Sequence, residues 1–116
     1  MEINSKDQII NYFLSGAKKN VFIGVENEKF LFQEKNNVRA TYLDIKKVFE
    51  ILIKKFKWKE VKENENIVGL KIDGKSISLE PGNQIELSGD KLNHIHEACA
   101  ESYDYLFELK QVTKKL

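Results

Sequence analysis

The chain has 116 residues, 41% of them hydrophobic and 32% charged, with a formal net charge of +1. That is the length of one domain, and the near-neutral balance gives no electrostatic reason to expect nucleic acid or an anionic membrane as a partner. No apolar run approaches the ~18 residues of a membrane span, "MEINSKDQII" lacks signal-peptide character, and the single cysteine, Cys99, excludes an internal disulfide and fits a reducing cytoplasm.

Residues 5–16 read as a short helix. Ser5 is placed to cap it with Gln8 reaching back, Ile9, Ile10, Phe13 and Leu14 form one face, and Gly16 ends it. An apolar run from about Val21 to Phe32 reads as one strand, with Glu26 and Glu28 two residues apart inside it. Side chains alternate along a strand, so these carboxylates share a face about 7 Å apart. "QEKNNV" follows as a polar loop.

Residues 42–57 give the clearest helical pattern. Thr41 and Asp44 bracket its first turn, Ile45, Val48, Phe49, Leu52, Ile53 and Phe56 recur at helical spacing, and Lys54, Lys55 and Lys57 complement the dipole at its end. "IKKFKWKEVK" interleaves Phe56 and Trp58 with lysines, as a surface for single-stranded nucleic acid would. The helix end accounts for half of those lysines, and Glu60 and Glu63 follow, so a solvated helix end is the better reading.

Three strands come next. Asp73-Gly74 is a two-residue hairpin turn, which pairs Ile72 with Lys75, Leu70 with Ile77 and Val68 with Leu79. A three-residue loop over Pro81–Asn83 sets Glu80 opposite Gln84 and Ser78 opposite Glu86. A two-residue loop would slip the register and send Glu86 into the core. Glu80, Gln84 and Glu86 therefore share a polar face, with Ile77, Leu79, Ile85 and Leu87 on the other. A last helix is expected from near Asp90 towards Leu116, with Leu92, Ile95, Cys99, Tyr103 and Leu106 as its inner stripe. The chain ends in "KQVTKKL" without a stop signal, as a longer protein cut short would.

The elements make an α+β unit, an antiparallel sheet with packed helices, over residues 1–116. If the first strand joins the later three, Glu26, Glu28, Glu80 and Glu86 converge on one surface. Like charges on adjacent strands cost roughly 0.2–1 kcal/mol per pair, a cost that a divalent cation with a preference for hard oxygen ligands would remove. Edge charges facing water are the alternative, and spacing alone leaves both open. His94 and His96 diverge on a helix, and His96 with Cys99 supplies only two of the four ligands a zinc site needs, so a packed histidine and a buried thiol are expected. No phosphate loop, HExxH or nucleophile elbow is present, and no residue is singled out as catalytic.

"IGVENEKF", "NIVGLKIDGKSISLEPGNQIELSG" and "LNHIHEACAESYDYL" resemble the N-terminal part of plant-type glutamate–cysteine ligase, a form also found in many bacteria. The likeness runs from about Val21 to Leu109, and the second block is the specific one. Asn27 stands where the family commonly has histidine, and Asn83 where it has the second glycine of E-P-G-G-Q. The resemblance implies a glutamine-synthetase-like catalytic fold whose sheet holds magnesium, ATP and glutamate. It implies Glu26, Glu28, Glu80 and Glu86 as magnesium ligands and Gln84 as a substrate-orienting neighbour. The implied reaction phosphorylates the γ-carboxylate of L-glutamate with ATP and joins it to L-cysteine, the first step of glutathione synthesis. Cys99 resembles one half of a regulatory disulfide whose partner lies beyond this chain. Family members run to several hundred residues, so the resemblance implies a remainder of the chain that supplies the nucleotide-binding residues, and a 116-residue piece that is inactive alone. Another carboxylate–amine ligase of the same fold, and a stand-alone binding module that has lost catalysis, are the rival readings.

Overall fold

The computed structural model describes residues 2–114. Its first element, α1 (Lys6–Ser15), begins as expected: the Ser5 hydroxyl accepts the Gln8 backbone N–H, Gln8 reaches back to the Asn4 N–H, and Gly16 follows the last turn. None of its residues is buried, and Phe13 and Leu14 are largely exposed.

The apolar run after it does not form one strand. Ile23 makes an isolated antiparallel bridge with Leu92, β1 covers Glu26–Phe30, and the chain breaks at Leu31. Then β2 (Phe32–Gln33) pairs with β3 (Val38–Arg39) in a separate two-stranded hairpin, whose turn places Asn37 at a positive φ of 52°. The polar loop of the sequence is this turn.

Helix α2 (Tyr42–Phe56) matches its expected span to within a residue, and its capping box is complete: Thr41 accepts the Asp44 N–H and Asp44 accepts the Thr41 N–H. Lys57 ends it in the left-handed conformation, φ 64°. Five strands then make an antiparallel sheet in the order β1-β7-β6-β5-β4, where β4 is Lys59–Glu63, β5 Asn66–Ile72, β6 Lys75–Glu80 and β7 Gln84–Ser88. The edge strand β4 was not anticipated. "KEVKE" is exposed throughout, so it carries no half-buried alternation, and only pairing with β5 defines it.

The two hairpins take the expected registers. Asp73 and Gly74 both have positive φ, as a two-residue hairpin turn demands, and Ile72 pairs with Lys75 and Leu70 with Ile77. Glu80 pairs with Gln84 and Ser78 with Glu86 across the three-residue loop, where Gly82 and Asn83 have positive φ. The expected pairing of Val68 with Leu79 is not formed. Val61 opposes Gly69 but Lys62 opposes Ile67, so Val68 is an extra residue in the ladder, and Ile67 rather than Val68 is buried.

Helix α3 (Ile95–Thr113) starts later than expected, because Leu92 is held in its bridge to Ile23 by two 2.8 Å backbone hydrogen bonds. The predicted continuation to Leu116 lies outside the described residues. Its inner face is Ala98, Glu101, Tyr105, Leu109 and Val112; Ile95, Cys99, Tyr103 and Leu106 face out. Both stripes have helical spacing, and the sequence offered the more apolar N-terminal half on the wrong one. The thiol of Cys99 is therefore exposed rather than buried, and His94 and His96 are exposed too.

One core forms between the helices and one face of the sheet. Phe49, Ile45 and Leu52 of α2 meet Leu70, Ile77, Ile85 and Leu87, with Tyr105, Leu109 and Val112 of α3 beside them. Trp58, which a nucleic-acid reading would place outside, is buried with its indole N–H donating to Glu108 at 2.8 Å, so it is not available to stack on a base. Phe49 is fully buried, and Phe49→Ala is expected to destabilise the chain by about 3–5 kcal/mol. That is a large share of an ordinary domain's stability, so urea unfolding followed by circular dichroism should show a much lower midpoint or no folded baseline.

A carboxylate face built by two ends of the chain

The face of the sheet opposite the helices is set by strand parity. β1 lies antiparallel to β7 with Glu28 directly across from Glu86, Glu26 across from Ser88 and Phe30 across from Gln84. On the other side of β7, Ser78 stands across from Glu86 and Glu80 across from Gln84. Glu26, Glu28, Glu80, Gln84 and Glu86 thus all point to one side, as the sequence implied if the first strand joined the meander. Asn27 lies on the opposite parity, so its departure from the common histidine leaves that face intact.

The electrostatics follow from the register. Partial burial raises the Glu86 carboxyl above its ordinary value, and the charges of Glu26, Glu80 and Glu28 push it further up, against a weak 3.5 Å hydrogen bond from the Ser88 hydroxyl. Three neighbours repelling one carboxylate is uncompensated negative charge. The donor set is all hard oxygen, which suits magnesium. Among the described residues, however, no three His, Cys, Asp or Glu side chains are gathered closely enough to hold a metal ion. β1 is also an edge strand, and Glu26 and Glu28 are exposed. The backbone lines the four carboxylates up, and the side chains stay apart.

Three residues near this face were not singled out from sequence. Glu101, buried to 8% exposure, accepts the Asp90 N–H at 2.9 Å through one oxygen, while its other oxygen lies where a Cβ on Gly89 would have to go. Gly89 in turn donates its N–H to Val25 at 2.8 Å, so β7, the approach to β1 and α3 are tied at one point. "SGD" followed by a helix with an inward glutamate was the available signal, hidden by the wrong stripe. Burial raises the pKa of Tyr105 one turn further on, with a smaller push from the Glu86 charge, and its hydroxyl has no partner among the described residues. The third is Arg39, whose guanidinium lies 4.0 Å from the centre of the Phe30 ring.

The raised pKa of Glu86 has a sign. A carboxyl that holds its proton more tightly when folded favours folding as pH falls, and stability is lost as pH rises from the unfolded value of about 4.5 through the folded one. Asp44 and Glu97, both lowered by hydrogen bonds to backbone N–H groups first, act oppositely, so the comparison is between variants. Glu86→Gln is expected to raise the urea midpoint at pH 7 relative to the parent, with the difference shrinking towards pH 4.5, both measured in chelator.

With that geometry in view, residues 22–116 match the sequence profile of glutamate–cysteine ligase family 2. The chain is 38% identical over 114 residues to the chloroplastic glutamate–cysteine ligase A of Oryza sativa subsp. japonica. Against the chloroplastic glutamate–cysteine ligases of Medicago truncatula and Arabidopsis thaliana, identity is 40% and 38% over the same length. In each case 97% of this chain is covered but only 22–23% of the relative, so the chain spans less than a quarter of the proteins it matches. The expectation of a cytoplasmic protein is overturned by these chloroplastic relatives. A single cysteine shows only that no disulfide forms within the chain, which does not separate one reducing compartment from another.

Proposed function

The chain belongs to glutamate–cysteine ligase family 2, and from that premise we propose that it is the metal-holding N-terminal part, residues 1–116, of an ATP-dependent ligase joining L-glutamate to L-cysteine. The observation that carries this reading is the pairing of Glu28 with Glu86 across β1 and β7, with Glu26 and Glu80 close enough to raise the Glu86 pKa. An unneutralised carboxylate cluster on a sheet face costs stability, and a use for it is a cation.

In the proposed reaction the γ-carboxylate of glutamate attacks the γ-phosphorus of ATP, ADP leaves, and the cysteine amine then displaces phosphate from the acyl phosphate and loses a proton. Glu26, Glu28, Glu80 and Glu86 would hold magnesium, which when bound neutralises phosphate charge during transfer. The chain's own contribution is positional. Gln84, in the row between Glu80 and Phe30, orients a polar substrate group, and the sheet closes one side of the site to water.

Apolar surface supports a longer working protein. Tyr103, Ile95 and Phe107 are 69%, 58% and 49% exposed on α3, and α1 buries nothing, which leaves apolar surface that further chain could cover. The remainder of the chain would cover it and bring the nucleotide-binding groups, so the 116-residue chain alone is inactive. Cys99, exposed on α3, is accessible to the regulatory disulfide that the resemblance implied. The rival is a stand-alone binding module.

Titration calorimetry of manganese and magnesium into the chain separates the readings. Binding is expected for the parent and at least a tenfold weaker constant for Glu28→Gln with Glu86→Gln, since two of the charged ligands are gone. A double variant that binds as well as the parent would remove the carboxylate face from the proposal. Turnover of ATP with glutamate and cysteine by the 116-residue chain would instead show that no remainder is needed.

A further inference from the structure

Arg39 is the only arginine in a chain that uses lysine at its other eighteen basic positions. Its surroundings suit a guanidinium and would not suit an ammonium equally well. The central guanidinium carbon lies over the Phe30 ring, 4.0 Å from its centre. Its two terminal nitrogens pass so close to Gly82 that a Cβ there would stand 3.4 and 3.6 Å from them. The ion is thus seated between an aromatic ring and a glycine, a contact in which a guanidinium keeps N–H donors to spare.

The backbone holding it is fixed from two sides. The next residue, Ala40, donates its N–H to Leu31 at 2.8 Å and accepts from the Asn83 side chain at 3.1 Å. Asn83, the departure from the family's second glycine, therefore ties the E-P-G-N-Q turn to the segment that presents Arg39. Among the described residues, Arg39 makes no ion pair and no side-chain hydrogen bond, although carboxylates stand on the same face. Five N–H donors are held in place and left unused.

Position gives the ligand chemistry. Phe30 shares its face with Glu28 and Glu26, and it opposes Gln84, which opposes Glu80. Arg39 thus stands at the Glu80–Gln84–Phe30 row, one alternation, or about 7 Å along the strand, from the Glu28–Glu86 pair. An anion touching a magnesium ion at about 2 Å and a guanidinium at about 3 Å spans a comparable distance once its own width is included.

We propose that Arg39 is an oxyanion-binding residue: seated between Phe30 and Gly82 at one end of the carboxylate face, its spare N–H donors receive a carboxylate or phosphate group of a substrate. This rests on reading that face as the substrate-binding side of the sheet. A guanidinium presents parallel N–H donors to either anion, which is why both share the seat.

The single arginine makes the test direct, because the nitrogen-15-labelled chain has one arginine Nε–Hε signal. Inorganic phosphate and L-glutamate are titrated separately while that signal and the Gly82 amide are followed. Saturable movement with phosphate assigns the seat to a nucleotide phosphate, and movement with glutamate assigns it to an amino-acid carboxylate. Arg39→Lys, which keeps the charge but loses the parallel N–H fork, should weaken the responding anion by about tenfold, read at Gly82. Phe30→Leu, which keeps the charge and removes the ring, should weaken it as well. An Nε–Hε signal that neither anion moves before signals across the whole chain drift would overturn the proposal and leave the stack as packing only. Manganese separates the two readings. If manganese broadens the Glu28 and Glu86 amides while Arg39 stays silent, only the Arg39 assignment falls. If Arg39 responds and manganese broadens neither glutamate, the oxyanion seat stands and the metal-holding role falls.

Discussion

The antiparallel pairing of β1 with β7 is the constraint on which everything else at the candidate site depends. β1 comes from the start of the chain and β7 from beyond the long α2 helix, and their register decides whether Glu26 and Glu28 join the face on which the β6–β7 hairpin places Glu80 and Glu86. Side-chain direction in a strand has a period of two. A slip of one residue would turn Glu26 and Glu28 to the helix side of the sheet and bring Asn27 and Lys29 to the open face in their place. On the helix side β1 itself presents Asn27 opposite Leu87 and Lys29 opposite Ile85, so the β1–β7 ladder sets which polar residues reach the open face.

The two faces of the sheet therefore have separate tasks. One carries Leu70, Ile77, Ile85 and Leu87 against the helices and supplies the stability. The other carries Glu26, Glu28, Glu80 and Glu86, which add repulsion, together with Arg39 over Phe30 and the Lys59–Lys71 pair on the far strands. That face carries its carboxylates on β1, β6 and β7 with Arg39 at their edge, and lysines on β4 and β5.

Much of this was legible in the residues, and the reasons differ between elements. The hairpins at Asp73-Gly74 and Pro81–Asn83 are local devices with demanding backbone conformations, so their registers and the shared face of Glu80, Gln84 and Glu86 could be worked out without a structure. The capped helix α2 was equally local. Placement of β1 against β7 is a long-range pairing, and only the family resemblance and the oddity of two glutamates in an apolar run hinted at it. The rest failed for physical reasons. β4 is an exposed edge strand with no hydrophobic alternation, Val68 lost its place to an irregularity in the ladder, and α3 offered two stripes of similar spacing. Arg39 carried no pattern at all, since its seat is built from Phe30, Gly82 and Asn83 on other elements.

Trp58 has a consequence of a different kind. The only tryptophan of the chain sits just before β4, buried in the core and hydrogen-bonded to Glu108 on α3. Its emission therefore reports whether the last helix is docked on the sheet, in a dry environment that opens to water when α3 lifts away. The chain carries a built-in fluorophore for its own tertiary packing, on the side of the sheet away from the carboxylates. Ligand events on one face and helix docking on the other can be watched as separate optical and magnetic signals in the same sample.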